Sequence, residues 1–300
     1  MKQNLMEQVS LLLLKEGYLL KTLTRACFDI MAKKGTTMLL LKILEDANAI
    51  QQEAAAEMLR ISSYVGASPL IIAVKAGTPL VSDVIYRRFS LFAVNPETLE
   101  KSLHLEFPFL KSDHAGLTAR LKGDQLREFR EQEGKSLGDV GVKLGVSKRM
   151  VQRYEAGQAN LTRAKAVRLA GLFGTSVFEN FNILNNSMLN TSVSLSLQSV
   201  RMHNEPLTVA KKYTLLGFDA SETKKVPFDV IAKKETEIIL TVIGDSITPY
   251  LSDIAGMVGA DNLAIFKKQK PKGIPALSAE EFMDVEKAEE LIDFVKEGSR

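Results

Sequence analysis

Lys148, Arg149, Gln152 and Arg153 are the residues of this chain whose types and spacing speak most directly of chemistry. On a helix turning about 100° per residue they fall within an arc of roughly 140°, while Val151 and Tyr154 point the other way. Arginine and lysine donate to guanine O6 and N7, and glutamine pairs with adenine, so such a face suits the major groove of double-stranded DNA. Residues 121–170 hold eleven Lys and Arg against six Asp and Glu. That local excess, 11 − 6 = 5, is larger than the +3 of the whole chain, and it would attract phosphates.

The neighbouring sequence supplies what such a face needs to be held in place. Leu137, Val140 and Leu144 share one side of a preceding helix, and Gly141 leaves room there for a close neighbour. Gly145 suits the left-handed stop of that helix, Ser147 can cap the next one, which runs from Lys148 to Ala156, and Gly157 can end it. The segment from Leu137 to Ala156 is therefore read as a helix-turn-helix, with Leu137, Ser147, Lys148, Arg149, Gln152 and Arg153 as its DNA-binding residues.

Other candidates for chemistry are sparse. The single cysteine, Cys27, rules out an intrachain disulfide and a cysteine-rich metal site. His104, His114 and His203 lack ligand spacing, so no metal and no cofactor are expected. The apolar run 11–14 is bracketed by Glu7, Lys15 and Glu16, too short for a signal peptide or a membrane span. With 45% hydrophobic and 25% charged residues, the chain reads as a globular protein of the cytoplasm without a membrane partner.

An internal duplication frames the central segment. Phe28-Asp29-Ile30-Met31-Ala32-Lys33-Lys34 returns as Phe228-Asp229-Val230-Ile231-Ala232-Lys233-Lys234, with five of the seven positions identical. Val65-Gly66-Ala67 returns in order as Val258-Gly259-Ala260. Each copy reads as two strands, a helix and a strand, the last parallel to one of the others. A leading helix over 5–16 is expected in the first copy only, and one acidic helix over 279–296 at the end of the second. Asn95-Pro96-Glu97-Thr98 signals a helix start. The expected division is a mixed α/β chain: a small α/β domain over 1–118, an all-α domain over 119–185, a linker over 186–205 and a shorter α/β domain over 206–300.

The segment from Leu126 to Phe173 resembles the Cro and C1 repressor (XRE) class of DNA-binding domains. The resemblance implies five helices, the second for positioning and the third for recognition. It implies base contacts from Lys148, Arg149 and Arg153, and a partly buried ion pair between Arg130 and Glu155. The glutamine common at the start of the positioning helix is Leu137 here. Over its length the chain also resembles an archaeal family of HTH-type transcriptional regulatory proteins. The features that carry this are Cys27-Phe28-Asp29-Ile30, Asn95-Pro96-Glu97-Thr98-Leu99, Leu126-Arg127-Glu128 and Phe228-Asp229-Val230.

The two flanks resemble the core of the PD-(D/E)xK nucleases, with Asp29 and Lys42 at two of the motif positions. Such an enzyme needs a carboxylate two residues before the lysine to help hold Mg²⁺. That position is Leu40, and in the second copy Leu240 and Val242 replace both later residues. Asp29 and Asp229 are read instead as strand caps or partners of nearby amides, and the chain is read as no enzyme. The leading reading is a transcription regulator whose flanks dimerise or sense an unidentified effector, acting as a homodimer on paired half-sites. A metal-dependent nuclease or DNA-processing enzyme, and a protein-interaction adaptor, are the alternatives.

Overall fold

The computed structural model describes residues 2–114, 116–185, 205–248 and 250–298. His203 and nearly all of the expected linker lie outside the described residues. Contacts gather the chain into two compact units drawn from separate stretches: one from 1–5, 44–50 and 70–184, the other from 6–43, 51–69 and 185–300.

The second of these units holds most of the duplication. In the first copy, strands Leu19–Thr22, Ile30–Lys34 and Thr37–Asp46 follow one another; in the second copy, Asp219–Glu222, Val230–Lys234 and Glu237–Ile243 do so. The strand starts differ by a constant 200 (19 and 219, 30 and 230, 37 and 237). Register repeats too. Leu19 pairs with Lys33 and Asp219 with Lys233, both antiparallel. Lys34 pairs with Thr37, and Lys234 with Glu237. The hairpin between the last two strands turns through Gly35 at φ 56° in one copy and Glu235 at φ 55° in the other.

Three elements differ from the sequence expectation. Leu19–Thr22 and its counterpart add a strand to each copy; Leu19 is 69% exposed and the counterpart is polar, so neither shows the apolar alternation of a half-buried strand. The second copy also has a leading helix, Glu205–Leu215, like the Lys2–Lys15 helix of the first. The acidic C-terminal helix is two helices, Ala279–Asp284 and Ala288–Gly298, with Val285 extended between them (φ −58°, ψ 123°). Helices Gln52–Val65 and Tyr250–Val258 occupy corresponding positions. The strand after the latter, Asp261–Phe266, runs parallel to Glu237–Ile243, as a crossover requires.

The two copies face each other through reciprocal contacts. Lys33 Nζ donates to Met257 O at 2.6 Å and Lys233 Nζ donates to Tyr64 O at 3.1 Å. Tyr64 and Met257 precede the two Val-Gly-Ala motifs, so residue i of one copy meets residue j of the other and the reverse, the signature of an isologous pairing. Around this pair, Cys27 N donates to Lys225 O at 2.8 Å, and Lys224 N to Glu57 Oε1 at 2.8 Å. Arg60 Nη1 donates to Glu222 O at 3.1 Å, and Tyr64 OH to Asp219 Oδ1 at 2.8 Å. The apolar runs Leu39-Leu40-Leu41 and Ile238-Ile239-Leu240 are buried within the chain.

The first unit is a sheet that runs into helices. Leu91–Val94 pairs parallel to Ser68–Ala76 and antiparallel to Val84–Arg88. Val84–Arg88 pairs with Leu110–Asp113, which forms a hairpin with Gly116–Ala119. Asn95 caps the helix Pro96–Leu103, accepting from Thr98 N at 2.9 Å, as its sequence signals. Four helices follow: Gly123–Gln132, Leu137–Leu144, Lys148–Glu155 and Arg163–Phe173. Residues 174–185 contain no fifth helix, and 186–204 lie outside the described residues.

These four helices are not a self-contained bundle. Leu161–Thr162, just before the last of them, pairs with Gly116–Ala119. Leu126, Val140, Leu144, Val151, Tyr154 and Leu169 share one core with Val84, Phe109, Leu110 and Ala119 of the sheet. Phe109 stacks on Phe178 with ring centroids 4.6 Å apart.

Candidate nucleic-acid interface

Each end of the helix pair is fixed by the residue type its geometry requires. Ser136 begins the positioning helix Leu137–Leu144 with a reciprocal capping box: its hydroxyl accepts from Asp139 N at 3.1 Å, and Asp139 accepts from Ser136 N at 2.7 Å. The Ser136 side chain and its backbone N–H hold the Asp139 carboxyl below its usual range. Gly145 closes the helix at φ 64°, and Gly141 is buried where a Cβ would meet Val146 O at 2.7 Å. The turn thus has the left-handed residue and the close approach that its glycines imply. Ser147 caps the next helix, accepting from Met150 N at 3.3 Å.

The far end of that helix corrects the sequence expectation by one residue. The helix stops at Glu155, and Ala156, expected as its last residue, is instead the C-terminal cap at φ −80°, ψ 1°. Ala156 N still donates to Gln152 O at 2.9 Å, but the next residue, Gly157, turns left-handed at φ 67°. Gly157 N then donates to Tyr154 O at 3.1 Å and Gln158 N to Arg153 O at 2.9 Å. This pair of bonds is the Schellman closure, which takes Ala156 out of the regular helix and satisfies the last carbonyls. Good helix propensity at Ala156 does not outweigh the glycine that follows it.

The helix Lys148–Glu155 has two chemically distinct faces. Val151 and Tyr154 are buried in the core, and Met150 packs against it. Lys148, Arg149, Gln152 and Arg153 are all exposed. Leu137 is half-buried and packs on the same core, so its side chain offers no polar atom to a phosphate.

Charge anchors the helix where it ends. Glu155 Oε1 accepts from Arg130 Nε at 2.6 Å and its Oε2 from Arg130 Nη2 at 3.2 Å, a two-pronged pairing. Both residues are buried, Arg130 at 9% exposure and Glu155 at 7%. The bonds to Glu155 push the Arg130 guanidinium above its already high range. Arg127 Nε reaches the same carboxylate at 3.5 Å. Sequence reasoning missed Gly123: a Cβ there would lie 1.9 Å from Glu155 O, so the helix Gly123–Gln132 starts directly against the end of the helix Lys148–Glu155. Its only sequence signal is a glycine at a helix start.

Asp29 and Asp229 have one side-chain bond in common. Asp29 Oδ2 accepts from Ile43 N at 2.8 Å, and Asp229 Oδ2 from Ile243 N at 2.7 Å. Lys42 Nζ lies 3.4 Å from Asp29 Oδ1 and 3.0 Å from Ala26 O. Leu40 and Leu240 are fully buried and Val242 is 8% exposed, so the positions a second carboxylate and a lysine would occupy are core. Burial, with Glu57 nearby, pushes the Cys27 thiol up to about 12. His104 caps the C-terminus of the helix Pro96–Leu103, and His114 is exposed at the turn of the hairpin. Among the described residues no group of three or more His, Cys, Asp and Glu side chains gathers as a metal site would. No described helix is long and apolar enough to cross a membrane.

A family model described as a PD-(D/E)XK superfamily domain matches residues 2–108, and one described as a helix-turn-helix domain matches residues 123–179. Relatives match over most of the chain. A protein of Methanoculleus marisnigri is 30% identical over 90% of this chain and 90% of its own. One of Methanosphaerula palustris is 30% identical over 89% of each. One of Thermococcus kodakarensis is 27% identical over 98% of this chain and 95% of its own. Each is named a "Putative HTH-type transcriptional regulatory protein". No solved structure matches the chain.

Proposed function

Because the chain belongs to the archaeal family of HTH-type transcriptional regulatory proteins, we propose that it regulates transcription by sequence-specific binding of double-stranded DNA. The observation that carries this is the exposed face of Lys148, Arg149, Gln152 and Arg153 on a helix whose other face is buried. In this reading Lys148, Arg149 and Arg153 meet base edges, Gln152 suits adenine, and the Ser147 end of the helix faces phosphate. Residues 119–185 act as the DNA-binding domain. Two chains occupy half-sites about one helical turn apart. The flanks contribute to that assembly or sense an effector.

Selection of duplexes from a random pool tests this. The full chain is expected to enrich one motif, and Arg149→Ala with Arg153→Ala to lose it. Enrichment of no motif by the unaltered chain would leave the adaptor reading in its place.

The PD-(D/E)XK match favours a second reading, metal-dependent DNA cleavage. The bonds that occupy Asp29, and the buried Leu40, speak against it. Duplex DNA incubated with the protein and Mg²⁺ or Mn²⁺ should stay intact. Cleavage that Asp29→Ala abolishes would establish the nuclease instead.

A further inference from the structure

We propose that the lysine-rich loop over 267–275 in the second copy is a separate DNA contact, gripping backbone phosphates without reading bases. The proposal rests on the DNA-binding reading above.

Lys267, Lys268, Lys270 and Lys272 fall within six consecutive positions, with no acidic residue between Asp261 and Glu280. The surrounding module has the opposite sign. Residues 205–300 hold thirteen Lys and Arg against seventeen Asp and Glu; without these four lysines the balance is nine against seventeen. An ordinary solvated surface intersperses its charges, whereas this one concentrates cations in a single loop of an acidic module. All four lysines are exposed. Lys267 Nζ pairs with Glu205 at 2.6 Å; among the described residues Lys268, Lys270 and Lys272 make no salt bridge, while Asp245 and Glu281 lie near enough to feel Lys268 and Lys270.

The loop is also held in shape. It connects two strands that pair side by side and parallel, Asp261–Phe266 and Ala276–Ser278. Asp245 Oδ1 accepts from Lys267 N at 2.8 Å and from Lys268 N at 3.0 Å. The first copy has a comparable clasp with fewer cations, Lys75 and Arg88, beside it. There Asp46 accepts from Gly77 N at 3.2 Å, and the residues after the strand are Gly77, Thr78 and Pro79. The first copy folds back there into a hairpin with Thr78–Pro79, whereas the second keeps an open loop bearing four lysines. Exposed ammonium groups on a loop anchored at its start suit phosphates, which take point charges without demanding base geometry.

The test measures full-chain binding to the selected duplex and to a scrambled duplex of equal length, between about 50 and about 200 mM salt. The variant is Lys268→Ala, Lys270→Ala and Lys272→Ala together. It is expected to weaken both complexes alike, roughly tenfold or more at the lowest salt, and to make the slope of log affinity against log salt shallower by about 2 to 3. The preference for the selected duplex should be retained. Unchanged affinity and slope, while Arg149→Ala with Arg153→Ala still loses the preference, would overturn this proposal and leave the reading head standing. A loss confined to the selected duplex would overturn it as well, since the loop would then read bases. So would loss of binding to a polyglutamate peptide with DNA binding intact, which would make the loop an acidic-protein contact.

Discussion

Removing Glu155 leaves the largely buried Arg130 guanidinium, at 9% exposure, with only the Glu131 carboxylate and the Lys135 carbonyl as partners. Glu155→Ala is therefore expected to cost about 3 to 5 kcal/mol, measured by urea unfolding; a loss under about 1 kcal/mol would show that the Arg130–Glu155 pair holds nothing. Glu57 behaves differently. Burial raises its carboxyl above the ordinary value near 4.5, although Lys224 N and Arg60 oppose the shift. A raised folded-state value means the folded protein holds that proton more tightly than the unfolded chain does. The stability this gives is present below the ordinary glutamate value and is lost as pH rises through the raised one. Glu57→Gln should remove that decline, so the thermal midpoints of variant and parent should diverge across this acid window; parallel curves would contradict it. At this scale Arg149 and Arg153 were legible because type and spacing alone place them. Glu57 was not, since one of its partners, Lys224 N, comes from the distant second copy.

Among the elements, the hairpin turns of the two copies offer a comparison within one chain. Gly35 takes a left-handed conformation freely, whereas Glu235 takes it at φ 55° against the clash of its Cβ. Glu235→Gly should stabilise the chain by about 1 kcal/mol, raising the denaturant midpoint; a lower midpoint would mean the glutamate side chain contributes more than its backbone strain costs. Strongly periodic elements, such as Gln52–Val65 and Lys148–Glu155, could be read from sequence, the latter to within the one residue at Ala156 that its closing turn removes. Leu19–Thr22 could not, because an edge strand with Leu19 exposed lacks alternation. Nor could the hairpin Leu110–Asp113 and Gly116–Ala119, whose residues are covered by helices that follow later in the chain. For the same reason the helix-turn-helix looked separable in sequence, while its core is completed by the sheet.

At the level of the whole molecule, the duplication was visible in two short motifs, but its consequence was not. The copies pair within one chain through Lys33 on Met257 O and Lys233 on Tyr64 O, contacts that no local pattern announces. Lys33→Ala with Lys233→Ala should lower the unfolding midpoint, each loss worth about 1 to 2 kcal/mol, while leaving the preferred DNA motif and the number of chains per duplex unchanged. A change in that stoichiometry would place the same surface between chains. On the proposed function, the exposed face of Lys148–Glu155 reads bases. This is tested most directly by measuring the affinities of the unaltered chain and of Arg149→Ala for every single-base variant of the selected duplex. Arg149→Ala should lose discrimination of about 1 to 3 kcal/mol at one or two adjacent positions and keep it elsewhere. Uniform weakening, with every base preference intact, would contradict it.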